Sequence, residues 1–369
     1  MGKLKVMHLI TELAPAGAER CVYELATRMD KDLFDVSVVG LRGGGVADAL
    51  ANAGVPVRVL DVKSKLDLRK LGRLAGWLRE DRPDVLHTHL YHADLVGRIA
   101  AVMGGVRHLV HTVHTAEARF RPWQFAFARL AAKSCDRIIA VSESTREFHA
   151  GKTGLPITAY EVILNGVDAD SFARDAAKRR ELRRQWSVGQ DEFLFAYVGR
   201  LAEEKGVETL IDAMAVLGSR SGPVNLVMAG DGPGREGVEK FLGREAGSRT
   251  RWLGFVDDVR GVLSASDCLV MPSRWEGFGL AAAEAMAASL PVVASNVPGL
   301  RDVVADGETG ILVPHEDPTS LADAMQRLSE DRQLSEAMGS AGRARVAEKF
   351  SISRAVEEHQ RLYQSICGR

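Results

Sequence analysis

The stretch CLVMPSRWEGFGLAAAEAMAASLPVVA, residues 268–294, holds two short apolar runs separated by a loop and a helical pattern. Residues 268–271 and 291–294 have the length and composition of buried strands. The loop carries Glu276-Gly277-Phe278-Gly279, and a helix opens at Leu280. A strand–loop–helix–strand unit of this kind builds a parallel sheet with helices packed on its faces. Glu284 falls inside that helix among Ala281, Ala282, Ala283, Ala285 and Met286. Burying a carboxylate there is costly unless something hydrogen-bonds it.

Glu276 precedes Glu284 by eight residues. Gly277 and Gly279 leave room for backbone to approach a ligand, and a helix N-terminus offers free N–H groups to an anion. Two carboxylates that accept hydroxyls, with amides between them for an anion, suit a sugar joined to a phosphate. The plainer alternative is a capped surface helix with a solvated Glu.

The same alternation of apolar runs and helical patterns fills the chain. Strands are expected at 5–10, 35–39, 57–60, 85–87, 109–113 and 137–141 in the first half. In the second half they are expected at 193–198, 225–229, 251–254, 268–271, 292–295 and 310–313. The series breaks at 165–190, where the turn Asn165-Gly166-Val167-Asp168 precedes a basic helix, DAAKRRELRRQW. The run 178–184 reads as a solvated linker face. The expected fold is α/β, with two Rossmann-like domains facing across a cleft and ligands bound beyond the strand C-termini. The first domain covers 1–168, a linker 169–190 and the second domain 191–350.

A chain of 369 residues is long for one core and suggests about two domains. It is 46% hydrophobic and 26% charged with a net charge of −1, and so lacks the basic surplus of a general nucleic-acid binder. Cys21, Cys135, Cys268 and Cys367 are scattered, without the spacing of a zinc site or a disulfide framework. No signal-peptide pattern opens the sequence, and no apolar run reaches the roughly 18 residues of a membrane span. A cytoplasmic location is expected.

After the first strand comes Thr11-Glu12-Leu13-Ala14-Pro15-Ala16-Gly17-Ala18-Glu19, with Gly17 where backbone meets a phosphate or substrate. This is not the dinucleotide fingerprint GxGxxG, which argues against a dehydrogenase. His87, His89 and His92 follow the fourth strand, and His108, His111 and His114 flank the fifth. His111 and His114, three apart at a strand end, face different ways. With no HExxH and no nearby cysteines, no metal site is expected. His114, at the strand's end, is placed to hydrogen-bond in the cleft.

Residues 119–130, RFRPWQFAFARL, mix Arg119, Arg121 and Arg129 with Phe120, Trp123, Phe125 and Phe127 and end at Leu130. They read either as a basic aromatic helix touching a membrane surface or lipid-linked acceptor, or as a helix with its aromatics packed inward. In VGRLAEEKGVETLIDA, Arg200 follows a strand and Lys205 precedes a helix, a fork and a point charge suited to a diphosphate. AGDGPGRE places Gly230 in a glycine turn with Arg235 at the last glycine position of a dinucleotide loop, and reads as a wall. Phe255 and Val256, after the next strand, are placed to hold a nucleobase through backbone contacts.

These motifs, in this order and over essentially the whole chain, resemble the retaining glycosyltransferases of the GT-B fold, family 4, also called glycosyl transferases group 1. The EGFG…E element with Arg200 and Lys205 is the specific part; the Gly17 loop is weaker. The resemblance implies a nucleotide-sugar donor held by the second domain and an acceptor held by the first. It gives Glu284 to the donor ribose hydroxyls, and Glu276 with the amides of Gly277, Phe278, Gly279 and Leu280 to the transferred sugar. It gives Arg200 and Lys205 to the leaving diphosphate, and His114 and Gly17 to the sugar or phosphate from the first domain. A final helix within 351–369 returns to the first domain. Ala16 stands where the family often has a first glycine, and Asp302 where a Glu is common.

The implied activity is transfer of a sugar from a UDP- or GDP-linked donor to a saccharide or lipid-linked acceptor hydroxyl with retention, in surface polysaccharide or glycolipid assembly. No metal and no separate cofactor is implied, and membrane contact would run through residues 119–130 at the inner face of the cell membrane. Three rivals stand beside it. A glycoside hydrolase using Glu276 and Glu284 leaves Arg200 and Lys205 without purpose. A catalytically silent nucleotide-sugar-binding partner subunit predicts binding without transfer. A nucleotide-sugar epimerase fits the Glu spacing poorly.

Overall fold

A computed structural model of the chain describes residues 2–63, 67–116, 119–221 and 224–369. Two compact units divide it: Met1–Gly166 with Ile352–Arg369, and Val167–Ser351. The first is built on a parallel sheet of β1 (Leu4–Glu12), β2 (Phe34–Arg42), β3 (Val57–Val59), β4 (Val85–His89), β5 (His108–Val113), β6 (Arg137–Ala140) and β7 (Tyr160–Val162), in the order β3-β2-β1-β4-β5-β6-β7. The second is built on β8 (Leu194–Val198), β9 (Asn225–Ala229), β10 (Thr250–Trp252), β11 (Cys268–Met271), β12 (Val292–Ser295) and β13 (Gly310–Val313), in the order β10-β9-β8-β11-β12-β13.

All twelve strands expected from the apolar runs are present, within a few residues at their ends. Their central residues are buried on both faces, as a helix-covered parallel sheet requires. β7 is an addition. Three residues with one buried side chain give no periodic signal of their own.

The basic helix Ala176–Gln185 corrects in part the reading of 178–184 as a solvated linker face: Lys178, Arg180, Glu181 and Arg184 are exposed, whereas Arg179 is half-buried and Arg183 buried. Asp175 caps it by accepting from the amides of Ala177 and Lys178 at 2.8 and 2.9 Å. Arg183 is fully buried and donates to Ala265 O at 2.9 Å and to Asp267 Oδ2 at 3.1 Å. Arg179 meets Asp267 Oδ1 at 2.7 Å, and the amide of Leu194 donates to Asp267 Oδ2 at 2.9 Å. The helix thus fastens onto the start of β8 and β11. Charge count alone could not separate such a buried face from a wet one.

In the first unit the helix Ile352–Ile366 packs Ile352, Ala355, Val356, Leu362 and Tyr363 into the core formed by Leu4, Val6, Val85, Val110 and Ile139. It therefore covers the face of the sheet that also carries His87. In each sheet the strand order reverses once, between β1 and β4 and between β8 and β11. Ligands of open parallel sheets bind beyond the strand C-termini at such points.

Candidate active site

In the second unit the reversal brings together two loops distant in sequence. β8 is followed by Arg200 and by a helical turn, Glu203–Lys205, and β11 is followed by the loop to the helix Leu280–Ala287. Lys205 Nζ donates to Glu276 Oε1, and Ser273 Oγ donates to the same oxygen at 3.1 Å. The contact depends on Gly206, whose φ is +62°; a Cβ there would run into the carbonyl oxygen of Pro272. No other residue type lets the β8 loop close on the end of β11.

Arg200 is exposed and pairs with the buried Glu204. Its carbonyl accepts from Tyr197 Oη at 2.8 Å. Burial first, and then the carboxylates of Glu276 and Glu204, push the Tyr197 phenol far up, so it remains a donor. Sequence reading missed Glu204, Tyr197 and Ser273. Only the i, i+4 spacing of Arg200 and Glu204 could have been seen beforehand.

The helix Leu280–Ala287 starts from Gly279, and Glu284 is buried on it. The amides of Gly279 and Leu280 have no protein acceptor among the described residues. Phe278 is turned into the core, edge-on to Phe350 with centroids 5.4 Å apart, so only its backbone faces the loop. Lys205, Glu276 and free helix-start amides therefore lie around the ends of β8 and β11.

Gly230 plays a different part from a ligand contact through its amide. That N–H donates to Gly254 O at 2.7 Å, and a Cβ would strike the carbonyl of Gly199. The glycine turn is braced against the β8 loop by Leu201 N to Asp231 O at 3.0 Å and Gly234 N to Leu201 O at 2.7 Å. It forms a wall. Phe255, beyond β10, is 55% exposed, and Val256 is half-buried beside it.

In the first unit Gly17 is exposed at the start of the helix Gly17–Arg28, which follows β1, with Glu19 buried in the first turn. His114 lies just past β5 and is half-buried. Strand alternation puts His111 and His114 on opposite faces. His111 meets Asp94 Oδ1 at 3.3 Å and Thr88 Oγ1 at 3.1 Å, whereas His114 Nε2 meets His89 Nδ1 at 2.9 Å. Burial works against the Asp94 carboxylate, but His111 and Arg98 together outweigh it and hold its pKa below the usual value.

Sequence reading also missed a cluster around His8. Nitrogens of His8, His87 and His89 come within 4.8 Å of one another, a spacing that could hold a metal ion. Their hydrogen bonds argue for another role. His87 binds Tyr363 Oη and Thr112 Oγ1, each at 2.6 Å, and His89 binds His8 and His114, each at 2.9 Å. The cluster is a hydrogen-bonded polar network in an otherwise apolar core, with a narrow recess beside it lined by His89, Thr112, His114, Asn165 and His359.

Comparison with known proteins bears on both units. The family described as glycosyl transferases group 1 matches residues 178–345, and glycosyltransferase family 4 matches residues 15–171. The UDP-Gal:alpha-D-GlcNAc-diphosphoundecaprenol alpha-1,3-galactosyltransferase of Escherichia coli is 27% identical over 98% of this chain and 97% of its own length. The alpha-maltose-1-phosphate synthase of Mycolicibacterium smegmatis is 30% identical over 76% of this chain and 79% of its own. The crystal structure of Anabaena HepE in complex with UDP and glucose superposes with a TM-score of 0.89 at 24% identity, over 98% of this chain and all of that one.

Proposed function

The chain belongs to glycosyltransferase family 4, the glycosyl transferases group 1, with the GT-B fold, and from that premise we propose that it moves a sugar from a UDP- or GDP-linked donor to an acceptor hydroxyl with retention of anomeric configuration. The observation that carries this reading is the meeting of Lys205 with Glu276 beyond β8 and β11, next to the free amides of Gly279 and Leu280. A cation, a carboxylate and helix-start amides at the ends of neighbouring strands suit a leaving diphosphate and sugar hydroxyls.

Glu284 takes the donor ribose hydroxyls, and Phe255 and Val256 border the nucleobase. Glu276 and the loop amides of Gly277, Phe278 and Gly279 hold the transferred sugar. The bond between the anomeric carbon and the diphosphate breaks as the acceptor oxygen bonds that carbon on the same face. The acceptor proton leaves on the departing phosphate oxygen. Arg200 and Lys205 act where negative charge grows, and supply the compensating positive charge without a metal ion. From the first domain, Gly17 serves the phosphate or sugar and His114 the sugar.

The acceptor is a saccharide or a lipid-linked saccharide, in surface polysaccharide or glycolipid assembly at the inner face of the membrane. The E. coli relative is named for a diphosphoundecaprenol acceptor. Here Trp123 and Leu130 are 61% and 65% exposed on the helix Pro122–Ala131, flanked by Arg121 and Arg129. An apolar strip edged by arginines suits an anionic membrane surface.

Thermal stabilisation by UDP, GDP and ADP, measured on wild type and Glu284→Ala, tests the donor. A ligand that binds only the folded state raises its apparent stability. One nucleotide should stabilise the wild type and lose that effect in the variant. No stabilisation by any of them, or sugar release from a glycoside without nucleotide, would overturn the reading.

A further inference from the structure

His114 is the outer end of a file of three hydrogen-bonded imidazoles. His8 Nδ1 meets His89 Nε2, and His89 Nδ1 meets His114 Nε2, both at 2.9 Å. The ring centroids follow at 5.2 Å in each step. Strand register builds the file. His8 lies opposite His87, His89 opposite Thr112, and His114 is two residues beyond Thr112 on the same face. His87 lies beside the file, its ring tilted 34° to that of His89 with centroids 4.1 Å apart, but spends both nitrogens on Tyr363 and Thr112.

A neutral imidazole has one N–H and one bare nitrogen. Both contacts are hydrogen bonds only if the protons of all three rings point the same way, and the two directions differ at the ends. Pointing inward, the last proton would sit on His8 Nε2, which is buried and has no hydrogen-bond partner among the described residues. Orphaned buried N–H groups are rare, and an underused acceptor is the more tolerable of the two. Pointing outward, every proton but the last finds an acceptor, and the last rests on His114 Nδ1, at the half-buried end of the file.

We propose that His8 and His89 are positioning residues that fix His114 in its Nδ1–H tautomer, so that His114 presents a hydrogen-bond donor, and not a base, at the end of β5. Burial, then neighbouring histidines, hold His8 and His114 at about 3 and His89 well below its ordinary value, so the rings are neutral near pH 7. On the reading proposed above, the oxygen that accepts from His114 belongs to the sugar at the transfer site. A donor fixed in advance spends nothing on tautomer exchange when that oxygen arrives.

Nitrogen NMR of protein labelled at histidine reads the tautomer directly, with His114 assigned by the signal lost in His114→Gln. The wild type should show His114 protonated at Nδ1; protonation at Nε2 overturns the proposal, whatever the protein's activity. His89→Leu should release His114 into a mixture of tautomers and lower transferase kcat by about tenfold to a hundredfold, with donor KM little changed. His89→Asn, whose amide can stand in for Nδ1–H, should restore the tautomer and most of kcat. An unaltered tautomer and rate in His89→Leu would overturn the inference; should that variant not fold, the wild-type spectrum still decides. Failure of the transferase reading would appear separately, as a wild type that transfers no sugar.

Discussion

Lys205 and Glu276, seventy-one residues apart in the chain, form an ion pair beyond the ends of two adjacent parallel strands. Both side chains are largely covered, at 26% and 11% exposure. The pair holds a cation and a carboxylate in register. A diphosphate would compete for the ammonium and free the carboxylate for a hydroxyl.

Removing either partner should therefore damage turnover more than folding. Lys205→Ala and Glu276→Gln are each expected to lower kcat by roughly a hundredfold to a thousandfold, the scale of losing one transition-state contact. Steady-state kinetics alongside thermal melting checks this. A large fall in melting temperature with an unchanged kcat would contradict it.

Gly206→Ala should act through the backbone. With φ at +62° and the Pro272 carbonyl against the position of a Cβ, the variant is expected to lose about 1–3 kcal/mol of stability. Urea unfolding measures the loss. Because Lys205 is the preceding residue, nucleotide stabilisation should weaken along with it.

Asp267 collects Arg179 at 2.7 Å, Arg183 at 3.1 Å and Arg174 at 3.6 Å. Asp267→Ala leaves the buried Arg183 guanidinium without its counter-charge and should cost about 3–5 kcal/mol. Proteolysis should then fall first within residues 167–351. Arg180→Ala, on an exposed side chain of the same helix, should be close to neutral.

Acid should weaken the first unit through its histidines. Burial is the leading cause that holds His8 and His114 at about 3 and His359 at about 4, while unfolded histidine titrates near 6.5. Below pH 6.5 the unfolded chain binds the extra protons. Stability is thus full above pH 6.5 and falls as pH drops toward the folded values, by up to about 1.4 kcal/mol per pH unit for each histidine. Denaturant melts between pH 7.5 and 4.5 should show this slope, and His8→Phe should flatten it.

Sedimentation with vesicles tests the exposed strip. Replacing Arg121 and Trp123 by Ser is expected to reduce binding to anionic vesicles on the order of tenfold, with a weaker effect at high salt. Both side chains are exposed, so nucleotide-induced stabilisation should be unaffected. Unchanged vesicle binding would remove this helix from consideration.

What the sequence determined by itself was local. Apolar runs of strand length alternating with helical patterns sufficed for twelve of the thirteen strands and for two parallel sheets, because burial on both faces of such a strand leaves a continuous signature in the chain. The loop residues Glu276, Gly277 and Gly279, the buried Glu284 and the cations Arg200 and Lys205 were legible for the same reason: each stands out against its immediate neighbours. Which of these residues meet depends on the arrangement of the strands in space. Strand order placed β8 beside β11 and so joined Lys205 to Glu276. It also placed β1 beside β4 and β4 beside β5, which turned His8, His89 and His114 into one hydrogen-bonded file and set Tyr363, from the far end of the chain, on His87. No local period encodes such pairs, since strand order is fixed by crossover connections and long-range packing. A histidine in an apolar strand looks alike whether it is isolated or part of a chain of rings.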